Sequence, residues 1–171
     1  SHPCLGLADP KFQSDHAKLF MNVTNCEISG VIEFLVRARA APVNPSHFKD
    51  LIGKGYGLEY LADIVRNALF VSKGHRENVA VSLVLERSKD FSRVIRFSGA
   101  SLGSFKDLHE SAILNRIFDA LCAAEKLEKN EESKESEGVF VSAQSFETYF
   151  SSKMQIGDIV KTIIYMTIIN K

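Results

Sequence analysis

The chain has 171 residues, of which 45% are hydrophobic and 25% are charged, and this composition is typical of a folded rather than a disordered protein. Lysine and arginine together number 21, as do aspartate and glutamate, so the formal net charge is zero and a histone-like, generally basic binder is excluded. The length suffices to bury a sizeable core in one domain.

Cysteine usage and apolar runs bear on location and on metal binding. The three cysteines are widely spaced and form no Cys-x-x-Cys pair, which favours a reducing cytoplasm over a disulfide framework. No cysteine and histidine cluster has zinc spacing, so we expect no metal. No apolar run approaches the roughly 20 residues of a membrane span, and the first residues lack a signal-peptide pattern. We therefore expect a cytoplasmic protein that does not bind membranes.

The first half of the chain divides into an unpatterned and a patterned part. Residues 1–30 show neither strand alternation nor a helical stripe, and we interpret them as a leader. Residues 31–37 form a short, β-branched apolar run that predicts a buried strand. From Gly57 to Lys73, apolar residues recur every three or four positions, which predicts an amphipathic helix that Gly74 ends.

The next part of the chain alternates between strand and helix patterns. Residues 79–85 and 93–97 predict two further strands. A capping-box pattern from Asp107 to Glu110 predicts the start of a helix that runs to about residue 127. The glutamate- and lysine-rich segment 125–137 predicts a solvated loop or a frayed helix end.

The last part completes the predicted fold. Residues 138–142 predict a strand, 144–150 a short helix, and 156–169 either a strand or a buried helix. The order β-α-β-β-α-β-α predicts an α/β fold with a mixed, mostly parallel sheet.

No strong catalytic motif is present in the sequence. The segment from Gly53 to Gly57 is rich in glycine but lacks both the G-x-G-x-x-G order and the Walker lysine, so it predicts either a plain turn or a loop that holds an anion. There is no G-x-S-x-G elbow and no H-E-x-x-H pair.

Arginines at predicted strand ends are the most informative polar residues. Arg37 and Arg39 close the first strand, and Arg87 follows the second. Loops beyond the carboxyl ends of parallel strands line the ligand crevice of an α/β sheet, and the guanidinium group suits phosphate recognition. His75 and Arg76 precede a strand and belong to the opposite edge, unless a partner subunit brings the edges together. The alternative is that these arginines are solvated strand ends with local glutamate partners.

Several segments, in order, resemble the tRNA pseudouridine-54 N1-methyltransferase family and its bacterial relatives, which belong to the SPOUT class. They are VRARA (36–40), NALFVSKGHRE (67–77), VSLVLE (81–86), IRF (95–97) and HESA (109–112). The resemblance covers about residues 31–150 and defines a SPOUT-like α/β domain there. Residues 151–171 form a divergent apolar tail.

The resemblance implies a deep trefoil knot, a homodimer, S-adenosylmethionine as methyl donor, and N1 of a pseudouridine in tRNA as acceptor. Methylation at N1 requires that nitrogen to lose its proton and the methyl group to be held in line with it. Matching position and charge assign RNA binding to five residues, namely Arg37, Arg39, His75, Arg76 and Arg87. No catalytic residue can be named.

The C-terminal part departs from the family pattern. Family members carry a Gly-Asp-His loop, a Ser-Leu-Gly-Pro segment and a late cysteine that cradle the donor, and here only Gly157-Asp158 echoes them. We therefore expect the knot to be incomplete or rewritten and assign no cofactor ligand. Two functions stay open: an RNA methyltransferase dependent on S-adenosylmethionine, which we favour, and a catalytically degenerate RNA-binding or dimerisation module. A third hypothesis is an α/β scaffold with no nucleic-acid role.

Overall fold

The computed structural model describes residues 31–54, 57–71, 74–102, 109–154 and 161–168. The predicted leader, residues 1–30, lies outside the described residues. The elements, in chain order, are β1 (Val31–Pro42), α1 (Pro45–Leu51), α2 (Glu59–Leu69), β2 (Phe70–Val71), β3 (Gly74–His75), β4 (Val79–Arg87), β5 (Arg93–Ser98), a 3-10 turn (Gly99–Ser101), α3 (Glu110–Ala124), β6 (Glu132–Ser136), β7 (Val139–Ser142), α4 (Phe146–Met154) and β8 (Lys161–Ile168).

Six of these strands form one mixed sheet in the order β6-β7-β5-β4-β1-β8. Strand β1 pairs in parallel with β4 on one side and with β8 on the other. The expectation of an α/β chain with a mixed sheet is therefore confirmed. Strand β4 is a nearly continuous apolar run because both faces of the sheet are covered there.

The expectation that the sheet is mostly parallel is wrong. Three of its five strand pairings are antiparallel, namely β4 with β5, β5 with β7, and β6 with β7. Short connections explain two of these pairings, β4 with β5 and β6 with β7, because strands joined by a few residues must reverse direction. Strands β6 and β7 are joined by two residues, and the second of them, Gly138, has a φ of 81°.

The main core lies on the face of the sheet that α1, α2 and α3 cover. Phe34 of β1 and Phe97 of β5 are fully buried there, against Leu61 of α2 and Ile117 of α3. Helix α1 is short, and Pro45 in its first turn and Asn44 as its N-cap fix where it begins. The Asn44 side chain accepts a hydrogen bond from the backbone N–H of His47 at 3.0 Å.

Helix α2 ends earlier than the sequence predicts. It stops at Leu69 rather than Lys73, because Phe70 and Val71 turn into a two-stranded hairpin with Gly74 and His75. Gly74 therefore begins β3 and is not a helix stop. Aromatic and β-branched residues favour strands, which explains why the chain leaves the helix at this point.

The other predicted boundaries differ in smaller ways. Helix α3 begins at Glu110 with His109 as its N-cap and no side-chain cap, two residues after the predicted cap Asp107, which lies outside the described residues. Within the predicted charged loop 125–137, Glu132–Ser136 forms the edge strand β6. Charged side chains are common on edge strands because they discourage pairing with other chains. Lys161–Ile168 is a strand, which decides between the two alternatives for that part of 156–169.

Candidate functional site

The face of the sheet opposite the main core carries a buried polar cluster. The carboxyl group of Glu33 on β1 accepts hydrogen bonds from the hydroxyls of Ser82 on β4, at 3.1 Å, and Tyr149 on α4, at 2.9 Å. The two hydroxyl oxygens are 2.7 Å apart. Glu33 is only 2% exposed, and a buried carboxyl group is tolerated when hydrogen bonds replace its water.

Tyr149 closes this cluster from above. Burial raises the pKa of its hydroxyl well above the ordinary value, and the neighbouring Glu33 carboxylate raises it further, against smaller opposing effects of Ser82 and Arg96. Sequence reasoning missed the cluster, although Glu33 interrupts an apolar strand at a position that faces the same side as Leu35.

Arg37 lies on this same face and is held by ion pairs. Its Nε donates to the Glu86 carboxylate at 2.5 Å, and its Nη2 lies 3.3 Å from the Glu147 carboxylate. Its guanidinium group also stacks over the Phe146 ring, 4.7 Å from the ring centroid. The side chain is 17% exposed, so Arg37 ties α4 to β1 and β4, in line with the alternative of local glutamate partners.

His75 and Arg76 lie at the opposite edge from the strand carboxyl ends, as their positions before β4 predict. The Nη1 of Arg76 donates to the carbonyl oxygens of Asn67 and Ala68, at 3.2 and 3.1 Å. Partial burial lowers the pKa of Arg76. The His75 ring packs edge-on against Phe70, with centroids 6.5 Å apart. In this structure, Arg76 caps the last turn of α2.

Arg39 and Arg87 lie at the carboxyl ends of the parallel strands. Both are exposed, and neither side chain makes an ion pair or hydrogen bond with another residue that the structure describes. Between Ala38 and Pro42 the register of β1 shifts against β4, where only Leu85 to Arg87 lie opposite. Arg39 lies in this bulge. Bulges near sheet ends re-aim side chains and are frequent beside functional sites.

An open cleft of about 670 Å³ lies beside Arg87. One wall is the connection from β1 to α1, and the other is the turn between β4 and β5. Glu125 after α3 also contributes. The lining residues are Pro42, Val43, Asn44, Pro45, His47, Arg87, Ser88, Lys89, Asp90, Arg93 and Glu125. The cleft therefore combines three strong cations with two carboxylates. Lys89 and Arg93 extend the set that sequence reasoning selected.

The turn between β4 and β5 is fixed by its own side chains. The Ser88 hydroxyl donates to Asp90 at 2.6 Å, and the Asp90 carboxylate accepts the Phe91 N–H at 2.7 Å. These hydrogen bonds, with that of Ser88 first, lower the pKa of Asp90. Arg93 is 7% exposed, and its Nη1 donates to the Phe91 carbonyl oxygen at 2.7 Å. The turn is thus ordered before anything binds.

The glycine-rich segment contributes a turn. Gly53 and Gly57 have φ values of 78° and 82°, which suit glycine, and Gly55 and Tyr56 lie outside the described residues. Among the described residues, no group of three or more histidine, cysteine, aspartate or glutamate side chains could hold a metal ion. No described helix is long and apolar enough to cross a membrane.

The chain is similar to a known protein family and to several named proteins. Residues 31–167 match the family described as "Putative SAM-dependent RNA methyltransferase". Proteins named "Putative pseudouridine methyltransferase" match over 114 residues, which is 67% of this chain. Those of Photobacterium profundum and Vibrio atlanticus are 39% identical, and that of Shewanella frigidimarina is 40% identical.

The match spans 57–58% of the length of these relatives, so the chain spans less than two thirds of them. The part of the chain that matches the family contains the whole described sheet except the last residue of β8. The resemblance that the sequence motifs indicate is therefore confirmed at the level of the family. By this match over most of its length, the chain belongs to the family of SAM-dependent RNA methyltransferases.

Proposed function

We propose that the protein is an RNA methyltransferase that uses S-adenosylmethionine and acts on pseudouridine in tRNA. The observation that carries this proposal is the family match over residues 31–167. The names of the relatives, which specify pseudouridine, support the choice of acceptor. When bound, the donor supplies an electrophilic methyl group.

The RNA contacts that the structure favours are Arg39 and Arg87. Both are exposed cations without a described partner, and both lie where ligands bind α/β sheets, beyond the carboxyl ends of parallel strands. Arg37 and Arg76 already make contacts within the fold. Together with His75, they stay predictions as RNA contacts. An unpaired guanidinium group can take up a phosphate without first losing a native partner.

The described cleft does not fit the methyl donor. S-adenosylmethionine carries a sulfonium cation, and the cationic side chains of Arg87, Lys89 and Arg93 line this cleft. Like charges at close range disfavour such a ligand. We therefore assign no donor ligand among the residues of the cleft and derive no methyl-transfer step through them. The cationic residues of the cleft bind the RNA instead.

The proposal extends to a cytoplasmic homodimer of the SPOUT type whose trefoil knot is incomplete or rewritten. The resemblance of the sequence motifs to the SPOUT class supports the dimer and the knotted type, and the divergent residues 151–171 support the departure from a complete knot. The parallel addition of β8 beside β1 agrees with an α/β sheet of this kind. Sedimentation equilibrium of the full chain tests the dimer, and a monomer at micromolar concentration would contradict it.

A transfer assay tests the proposed function. The purified chain is incubated with tRNA that contains pseudouridine and with S-adenosylmethionine tritiated in its methyl group. We expect tritium to enter the RNA, and we expect none with a tRNA that carries uridine at those positions. RNA binding without donor binding or transfer would instead favour the degenerate RNA-binding module. Failure to bind RNA at all would favour the scaffold.

A matched pair of variants tests the choice of contacts. We expect Arg39→Ala to weaken RNA binding several-fold, since an exposed phosphate contact is lost. Arg76→Ala removes the cap of α2, and we expect it to lower stability and to weaken RNA binding less than Arg39→Ala does, because Arg76 already donates to the Asn67 and Ala68 carbonyl oxygens. Equal losses of affinity in the two variants would contradict this order of the two contacts.

A further inference from the structure

We propose that the cleft beyond the ends of β1 and β4 binds a phosphodiester group of the RNA backbone, with Arg87 and Lys89 as its two charged contacts. The inference rests on the proposed function and specifies where and how the RNA is held. Nothing in the family match or in the relatives' names assigns this site. The cleft volume of about 670 Å³ falls within the range of ordinary ligand sites.

The first argument is that two cationic side chains of the cleft are available to bind an anion. The side chains of Arg87 and Lys89 are both exposed, and within the described part of the chain neither side chain donates to an acceptor or pairs with a carboxylate. Most basic side chains near them in sequence are engaged, as Arg93 is with the Phe91 carbonyl oxygen and Arg96 is with the Phe140 ring. Two adjacent, unpaired cations on one cleft wall form an electrostatic site for an anion.

Preorganisation is the second argument. Lys89 projects from the turn between β4 and β5, and Ser88, Asp90 and Arg93 hold that turn by hydrogen bonds on both sides of it. On the other wall, the Val43 N–H donates to the Arg87 carbonyl oxygen at 3.1 Å, which ties the β1–α1 connection to the end of β4. A ligand that binds here therefore orders little backbone, and rigid sites lose less entropy on binding.

Charge balance is the third argument, and it selects the class of phosphate. Asp90 lies 3.7 Å from the Arg93 Nη2, so these two charges largely compensate each other. The Glu125 carboxylate offsets one of the two positive charges of Arg87 and Lys89, so the net charge of the cleft is near one positive unit. A phosphodiester carries one negative charge, whereas free phosphate near neutral pH carries between one and two. The cleft thus matches a backbone phosphate better than a phosphate dianion.

Salt-dependent RNA binding tests the site. A fluorescein-labelled single-stranded RNA is titrated with the full chain at several salt concentrations, and anisotropy is recorded. The test variant is Arg87→Gln with Lys89→Gln. The matched control is Arg66→Gln with Lys129→Gln, which removes the same charge from the end of α2 and from the turn that follows α3.

We expect the test variant to lose about tenfold or more in affinity, the effect of about 1.4 kcal/mol. We expect its salt slope to fall by about 1.4, since each contact on a single strand contributes about 0.7. The control should keep the native slope. Equal losses in both variants would overturn the proposal, because the effect would then be one of net charge. A test variant that binds RNA as the native chain does would overturn it too.

Two further arms separate the sources of phosphate and the two proposals. Inorganic phosphate is titrated over the millimolar range as a competitor, and we expect only the weak effect that sodium chloride of equal ionic strength has. Competition well beyond that level, lost in the test variant, would identify a site for free phosphate and overturn the assignment to RNA. If the native chain binds no RNA, the proposed function itself fails. If it binds and methylates RNA while the test variant is unaffected, only the cleft assignment fails.

Discussion

The two faces of the central sheet are built on different principles. The face under α1, α2 and α3 buries an apolar cluster, with Phe34, Phe97 and Leu61 fully inside it. The face under α4 has a smaller apolar cluster, formed by Leu35, Val84, Val94 and Tyr149, and interleaves it with polar side chains. The same strands supply both faces, because successive side chains of a strand point to opposite sides.

The two faces contribute differently to the stability of the fold and to the position of α4. Apolar contacts have little directional preference, so the first face contributes the larger share of the burial free energy and selects one arrangement less strictly than the second face does. On the second face, the carboxyl group of Glu33 accepts a hydrogen bond from the Tyr149 hydroxyl, and this bond requires α4 to lie at a definite place over the sheet. The ion pairs of Arg37 add a second point of attachment for α4. The polar face therefore fixes where α4 lies, and a poorly placed helix would leave buried polar groups without partners.

The largest effect is expected on the apolar face. Phe34→Ala removes a fully buried ring from the centre of the sheet, and we expect it to lower the free energy of unfolding by about 3–5 kcal/mol. Urea unfolding followed by circular dichroism measures the loss. Val71→Ala is the control, since Val71 is 42% exposed and should change stability by less than about 0.5 kcal/mol. A loss below about 1 kcal/mol for Phe34→Ala would mean that this face does not carry the core.

A smaller and cooperative effect is expected on the polar face. Tyr149→Phe removes a hydroxyl that donates to Glu33, and we expect a loss of about 1–3 kcal/mol from the buried carboxyl group. Ser82→Ala removes a second hydroxyl that donates to the same carboxyl group. In a double-mutant cycle the two changes should not add, with a coupling energy of at least about 0.5 kcal/mol. Additive losses would contradict a shared cluster.

The least effect at neutral pH, and a distinct signature at alkaline pH, comes from the titration of Tyr149. Its pKa is raised in the folded protein, so its contribution to stability is complete below the unfolded value of about 10 and is lost as pH rises towards the folded value. Above pH 10 this group should lower stability by up to about 1.4 kcal/mol per pH unit. Urea midpoints measured on both sides of pH 10 should converge for native protein and Tyr149→Phe. A constant difference would contradict the raised pKa.

The sequence predicted the parts of the fold that repeat locally. Apolar runs located β1, β4 and β5, and the three-to-four-residue period located α2. The end of α2 was missed because Val71 continues the apolar period of the helix, and only pairing with Gly74 and His75 makes Phe70 and Val71 a strand. The edge strand β6 was missed because its charged residues carry no apolar alternation, and only pairing with β7 makes them a strand.

The candidate site, like the fold, has one part that local sequence patterns predict and another that depends on residues far away in the chain. The carboxyl-end positions of Arg39 and Arg87 follow from strand order, which local patterns give. Whether an arginine is free or paired depends on residues far away in sequence, as the contact of Arg37 with Glu147 illustrates across 110 positions. The cluster of Glu33, Ser82 and Tyr149 depends on the placement of α4, which no local pattern fixes.

The position of β1 between β4 and β8 also has a consequence for the folding rate. Val31 pairs with Lys161, so this pairing joins segments separated by 130 positions of chain. Closing so long a loop costs chain entropy before the contacts that stabilise it can form, and chains rich in such distant contacts fold slowly. A stopped-flow experiment should therefore find refolding on the timescale of milliseconds to seconds. Until β8 is in place, one edge of β1 stays open to pairing with other chains, and a partner or chaperone that shields this edge would raise the yield of folded protein.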